Sequence, residues 1–202
     1  MHLGMRLAVA TVSASVLLAV PAQAATITVY TSEALWAAAA GLTTLEDFND
    51  ITLAPGLTSI TGGGTSTPSV NGVTPGRLWD RLDLGSSVVD TTFAFGPAIT
   101  AFGGTWFLSV AGFGTGIIVD VDFLGGGSQN VGTFGGVDGF WGFVSDMPII
   151  AVHLSENGLG GVAETYELEN LQFTSVPEPA TLLLLGAGLG AVAARRRLRK
   201  RA

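Results

Sequence analysis

Few side chains in this chain could carry out chemistry. It has no cysteine, which excludes thiol nucleophiles, thiolate zinc sites and iron–sulfur centres. Of its two histidines, His2 lies near the start of the chain and His153 lies in the body. His153 sits in Ala151-Val152-His153-Leu154. Strand alternation puts Val152 and Leu154 on one face and the imidazole on the other. A general base needs a positioned partner, and neither a Gly-x-Ser-x-Gly elbow nor a His-rich metal spacing is present. His153 therefore reads as a structural or solvent-facing residue, and the chain is not expected to be an enzyme. Carboxylate pairs could hydrolyse a glycoside if two faced each other across a cleft, which keeps a secreted hydrolase as a third reading. Gly62-Gly63-Gly64 lacks the Lys-Ser/Thr that completes a phosphate loop, and Gly125-Gly126-Gly127 has no helix after it. Both read as turns.

Two binding chemistries remain. Calcium takes several oxygen ligands, carboxylates and amide carbonyls among them. Glu46, Asp47 and Asp50 flank an early strand, and Glu169 and Asn170 lie in the final one. First and last strands are often neighbours in jelly rolls, so these five are the expected calcium clamp; the alternative is an ordinary acidic edge. Tyr166 and Leu168 share one parity, Leu171 and Phe173 the other, which predicts a bulge near Glu169-Asn170. Trp79, Trp106 and Trp141 would stack on sugar rings if exposed, whereas Phe93, Phe95, Phe102, Phe107, Phe140 and Phe143 read as core.

The elements that must position these residues are mostly strands. In Gly116 to Leu124, Ile117, Val119, Val121 and Phe123 share one face and alternate with Ile118, Asp120, Asp122 and Leu124. Other expected strands are 57–61, 91–95, 99–108, 129–134, 139–145, 149–155 and 165–174, punctuated by glycines. One helix is expected near Ser32 to Ala40, capped by Thr31 or Ser32 and ended by Gly41. The Gly-, Ser-, Thr- and Pro-rich stretch from Ala54 to Gly76 reads as a long loop around the strand at 57–61. Many short strands without a βαβ rhythm predict an all-β antiparallel sandwich, jelly-roll-like, with a β-helix as runner-up.

The two ends read differently from the body. Arg6, the apolar run Leu7 to Val20 and Ala22-Gln23-Ala24 form a secretory signal peptide, 1–24, with cleavage between Ala24 and Ala25. At the other end stand Pro177-Glu178-Pro179, the apolar segment 180–194 and the basic cluster Arg195, Arg196, Arg197, Arg199, Lys200 and Arg201. Fifteen helical residues span about 22 Å, less than the roughly 30 Å of a hydrocarbon core. The basic cluster stays cytoplasmic, which leaves the stiff Pro-Glu-Pro at the outer face.

Residues 176–202 resemble the PEP-CTERM sorting signal of Gram-negative, exopolysaccharide-producing bacteria. The resemblance implies a signal peptidase and an exosortase-like membrane protease as processing partners. It also implies transient residence of 180–194 in the inner membrane and delivery to the cell envelope, surface or extracellular matrix. The body is similar to other PEP-CTERM proteins through Leu45-Glu46-Asp47-Phe48 and Glu167-Leu168-Glu169-Asn170, with Asn49 and Glu169 departing from the usual pattern.

With both signals set aside, residues 25–175 hold two basic residues, Arg77 and Arg81, against fifteen acidic ones, a net charge of −13. That argues against nucleic acid as a partner. The resulting reading is one β-sandwich domain, 25–175, with a structural or adhesive role outside the cell. The alternative is a module that binds carbohydrate, such as exopolysaccharide.

Overall fold

The computed structural model describes residues 24–62, 72–74, 76–82, 91–108, 116–136, 138–157 and 164–175. Residues 1–23 and 176–202, and with them the leader, the Pro-Glu-Pro motif, the apolar segment and the basic cluster, lie outside the described residues. The elements in chain order are β1 (Ile27–Tyr30), α1 (Glu33–Ala40), β2 (Thr44–Glu46), β3 (Leu57–Thr61), β4 (Gly72–Thr74), β5 (Arg77–Leu82), β6 (Thr91–Phe107), β7 (Ile117–Phe123), β8 (Ser128–Phe134), β9 (Gly139–Glu156) and β10 (Glu164–Ser175). Among the described residues no helix is long and apolar enough to cross a membrane.

All ten strands join one antiparallel sheet in the order β4-β5-β10-β6-β9-β7-β8, with β1 on β9, β2 on β10 and β3 on β6. The sheet folds over on itself. Phe93 and Phe102 both lie on β6 and would stand about 30 Å apart on a straight strand. Their ring centroids are 5.4 Å apart, edge to face. β6 must turn back between them, and the β6–β9 register breaks between Ala94 and Ile99, around Gly96-Pro97. Proline offers no N–H to the ladder, so a break in pairing is natural there. β9 turns at the same level, where Met147 N donates to Ser145 Oγ at 3.0 Å. Two pairs of expected strands, 91–95 with 99–108 and 139–145 with 149–155, are thus single bent strands shared by both halves of the sheet.

Between the halves lies an aromatic core. Phe93, Phe102, Phe143, Phe173, Trp106 and Tyr166 are each at most 1% exposed. Phe102 touches Phe93, Phe95, Trp106 and Phe143. The β7 alternation holds as expected, with Ile117, Val119, Val121 and Phe123 buried. Gly125-Gly126-Gly127 makes the β7–β8 turn, each with φ between +92° and +104°, which only glycine adopts freely. Four strands went unread at the level of local pattern: β1, β4, β5 and β2, the last suggested only by family likeness. Two of them, β2 and β4, are three residues long, too short for a period-two signal.

α1 forms where expected. Its N-cap is Ser32, one of the two expected residues, although the Ser32 side chain makes no cap hydrogen bond. Gly41 closes it with φ +78° and an N–H to Ala37 O of 3.1 Å. Trp36 is its one buried residue. The indole lies over the point where β6 and β9 approach at Gly103 and Gly142.

Candidate functional site

The expected calcium ligands lie on neighbouring elements but do not converge. β2 does pair with β10, with Leu171 opposite Glu46. The bulge is present, as the β10–β6 register shifts between Glu169 and Gln172 and Asn170 adopts φ +51°. That slip brings Tyr166, Leu168, Leu171 and Phe173 all into the core, each fully buried. Yet among the described residues no three His, Asp or Glu side chains form a group able to hold a metal ion. Each candidate acid has another occupation. Glu46 points inward at 3% exposure, and its two oxygens accept the backbone N–H groups of Phe48 at 2.8 Å and Ala54 at 2.6 Å. Asp47 faces out and accepts from Asn49 N at 3.0 Å and Nδ2 at 2.7 Å; the first of these bonds leads in holding its pKa below the ordinary value. Asp50 accepts Thr52 N at 2.6 Å. Glu169 shares Arg77 with Glu167. These are loop-closing and ion-pair roles.

His153 has the partners that the sequence did not reveal. Its Nε2 stands 3.0 Å from Asp122 Oδ2 and its Nδ1 2.9 Å from Thr92 Oγ1. Ser128 Oγ donates to Asp122 Oδ1 at 2.5 Å. These four side chains come from β8, β7, β9 and β6 in turn, which are consecutive strands of the sheet. Ser128 first, then His153, keeps the Asp122 pKa below its usual value. With the Nε2 proton toward the carboxylate, Nδ1 accepts the Thr92 hydroxyl, an order of groups that also occurs in hydrolytic triads. Here each link bridges adjacent strands, and the group makes a polar ladder across the sheet. His153 and Asp122 are 28% and 38% exposed, so water screens the pair.

A second polar group is buried. Asp80 on β5 is 1% exposed. It accepts Arg81 N at 2.7 Å and the Thr91 hydroxyl. The Tyr166 phenol is buried beside it and is pushed well above its usual pKa, by burial first and by the Asp80 charge second. Burial also raises the Asp80 pKa, against the opposing hydrogen bonds of Thr91 and Arg81. A carboxyl raised in the folded state binds its proton more tightly there than in the unfolded chain. Its contribution to stability is therefore fully present below the unfolded value, about pH 4, and is lost as pH rises through the folded value. Asp80→Asn keeps the acceptor for Arg81 N–H and removes the buried charge. The midpoint of this variant should gain on wild type as pH is raised from 4 to 7, in thermal melts of the excised domain. A difference that stays constant with pH would refute the assignment.

At the end of the sheet away from the β6 and β9 bends, an aromatic groove of about 470 Å³ opens among Trp106, Phe134, Phe140 and Trp141, with Thr31, Thr133 and Asp138 supplying polar atoms. Phe134 stacks on Trp141 with centroids 4.4 Å apart and planes 15° apart. The three tryptophans that would stack on sugars if exposed are not displayed. Trp106 and Trp141 are 1% and 6% exposed, and their indoles serve the core, with Trp106 Nε1 donating to Trp141 O at 3.0 Å. Trp79 is half-buried, and its Nε1 meets no partner among the described residues. Phe140, expected in the core, is half-buried and lines the groove, as does Phe134, which sequence reasoning did not single out.

The expected mature start is tied into the domain. Gln129 holds Ala25 from both sides, with Ala25 N to Oε1 at 3.1 Å and Nε2 to Ala25 O at 3.2 Å. Thr26 N donates to Asp146 Oδ1 at 2.9 Å. At the opposite terminus, β10 ends at Ser175, where the sorting segment begins.

Domain and tail together describe an antiparallel β domain that carries a C-terminal address. Residues 175–197 match the PEP-CTERM protein-sorting motif. That motif implies processing by an exosortase-type membrane protease and export to the cell envelope or surface. No curated protein matches the chain.

Proposed function

We propose that this chain is an exported, non-enzymatic protein of the cell surface or extracellular matrix, with a structural or adhesive β domain delivered by its tail. The match of residues 175–197 to the sorting motif carries this reading. In this account the leader 1–24 is removed at Ala24–Ala25, 180–194 enters the inner membrane transiently, and Pro177-Glu178-Pro179 is presented to the protease. The folded-over sheet is best regarded as a β-sandwich of jelly-roll type. Its carboxylates chiefly close loops and link strands, a pattern suited to a durable module. Intact mass spectrometry of the protein from its native host should find a species without residues 1–24 and without Arg195 to Arg201. Deleting 177–202 should remove the domain from the cell surface. A mature chain that keeps the basic cluster would defeat the processing claim.

A second reading, carbohydrate binding, is favoured by the aromatic groove. Aromatic edges with a few hydroxyl and carboxylate groups suit an uncharged sugar ring, and the acidity of the domain disfavours a polyanionic glycan. Affinity electrophoresis in gels cast with neutral polysaccharide should retard the wild-type domain, and Phe140→Ala should run at least twofold faster. Equal mobility with and without polysaccharide would leave the structural reading alone.

A further inference from the structure

Among the described residues, Val29 is the exposed large apolar side chain beside the groove, whereas Leu42, Leu45, Leu124 and Ile150 lie toward the end of the domain from which the tail departs. Ser175, the last residue of β10, is the Cα partner of Ile99; Ile99 pairs with Ile149, and Ile149 with Phe123. This row lies at the bends of β6 and β9, where the sheet folds over and one end of the domain is formed. Leu124 and Ile150 immediately follow two members of it and are 59% and 38% exposed. Leu45, 52% exposed, is the partner of Gln172, and Leu42 is 96% exposed. Thr174 Oγ1 lies 3.1 Å from Ala40 O and 3.2 Å from Leu42 O, so Leu42 is held against the final residues of β10. Such large apolar groups are costly to leave in water, and together they call for a cover.

The length of chain that follows identifies the cover. Four residues, Val176 to Pro179, separate Ser175 from the apolar segment 180–194. Even fully extended, the five steps from Ser175 to Ala180 reach only about 17 Å. Wherever 180–194 enters a bilayer, this end of the domain is drawn to its surface. The groove lies at the other end: Trp106 pairs with Leu168, seven residues or roughly 23 Å along β10 from Ser175.

We infer that Leu42, Leu45, Leu124 and Ile150 form a membrane-resting face that seats the unprocessed domain on the lipid surface at the headgroup–acyl boundary. This rests on the proposed entry of the tail into the membrane. The seat fixes the orientation of the domain, places Pro177-Glu178-Pro179 at bilayer level and leaves the groove facing away. With a net charge of −13 in residues 25–175, the face suits zwitterionic lipid and is repelled by anionic lipid.

The chain has no cysteine, so a single introduced thiol reports one position. The full-length chain is reconstituted into phosphatidylcholine vesicles carrying a doxyl-quencher lipid, with an environment-sensitive label at Leu42→Cys, Leu45→Cys, Leu124→Cys or, at the groove end, Thr133→Cys. Quenching at the first three should exceed that at the fourth by at least threefold, and added anionic lipid should reduce it. Vesicle-bound protein with equal quenching at all four positions overturns the seat while leaving tail insertion intact. Labels at 42 and 45 that are shielded from aqueous iodide but unquenched by lipid would show a protein cover, which also overturns it. A chain that does not associate with vesicles at all would refute tail insertion and the seat together.

Discussion

Replacing Trp36 with alanine should destabilise the domain by about 3–5 kcal/mol, the range for a large aromatic removed from a packed site. Trp36 is fully buried although it belongs to α1, a helix otherwise exposed or half-buried. Its burial depends on two glycines that face each other across β6 and β9. A Cβ on Gly142 would lie 2.7 Å from Gly103 Cα, 2.8 Å from Phe102 O and 3.1 Å from Trp36 Nε1; one on Gly103 would lie 3.1 Å from Trp36 Cε2. The bare backbone is thus a notch that the indole fills. Nε1 donates to Phe143 O at 3.0 Å, and the Phe140 ring packs at 5.4 Å. No other residue of α1 is buried. A free helix of eight residues is below the roughly 12–15 needed for marginal stability in water. Trp36→Ala should therefore lose the helix as well as the packing. The test is chemical denaturation with circular dichroism at 222 nm. Trp36→Phe keeps part of the ring contact and loses the hydrogen bond, so it should cost less than the alanine. A Trp36→Ala domain within 1 kcal/mol of wild type would show that the notch contributes little.

The uneven legibility of the fold has a physical basis. β7 could be read because one of its faces is buried and the other is not, which imposes the period-two pattern. The helix was legible from its alanines, but its anchoring was not, because a glycine notch is made by residues 103 and 142 meeting across two strands. The bulge was legible because a phase slip leaves a mark on the order of apolar residues: Tyr166 and Leu168, then Leu171 and Phe173. The bends of β6 and β9 looked like breaks between strands, since a local window sees Gly96-Pro97 and Met147-Pro148 as stops, although the chain keeps pairing on either side. The partners of His153 were hidden for a related reason. Asp122 and Thr92 lie 31 and 61 positions away, and only the strand order sets them beside the ring. The acids near Glu46 were correctly placed on neighbouring strands. What they do there was not legible, because composition reports the charge of a side chain and not whether its oxygens are already taken by backbone.

Glu46 should be the carboxylate on which stability depends most, and Glu46→Ala should cost about 3–5 kcal/mol. Each buried N–H left without its acceptor costs roughly 1–3 kcal/mol, with hydrogen bonds to a charged group at the upper end. Glu46 serves two donors, the buried Phe48 N at 2.8 Å and the partly buried Ala54 N at 2.6 Å. Phe48 is fully buried and has φ +54°, a left-handed conformation disfavoured for a bulky side chain. The carboxylate holds that turn: Phe48 O accepts Gly76 N at 3.1 Å, and Ala54 O accepts Leu57 N at 3.0 Å where β3 begins. Removing Glu46 should loosen the connection from β2 to β3 together with the buried Phe48 ring. Glu46→Gln separates a backbone clamp from a simple need for volume. Glutamine fills the same space but has one acceptor oxygen for two N–H donors and turns an NH₂ toward the other, so it should recover less than half of the loss. Calcium and chelator arms complete the experiment. A clamp made of backbone hydrogen bonds predicts coincident thermal midpoints for wild type in both, whereas an ion bound only to the native state at a hundredfold excess over its dissociation constant would raise stability by about 2.7 kcal/mol. Full rescue by glutamine would overturn the backbone clamp in favour of a need for volume, and a wild-type midpoint that rises with calcium but no longer does so in Glu46→Gln would restore Glu46 as a metal ligand.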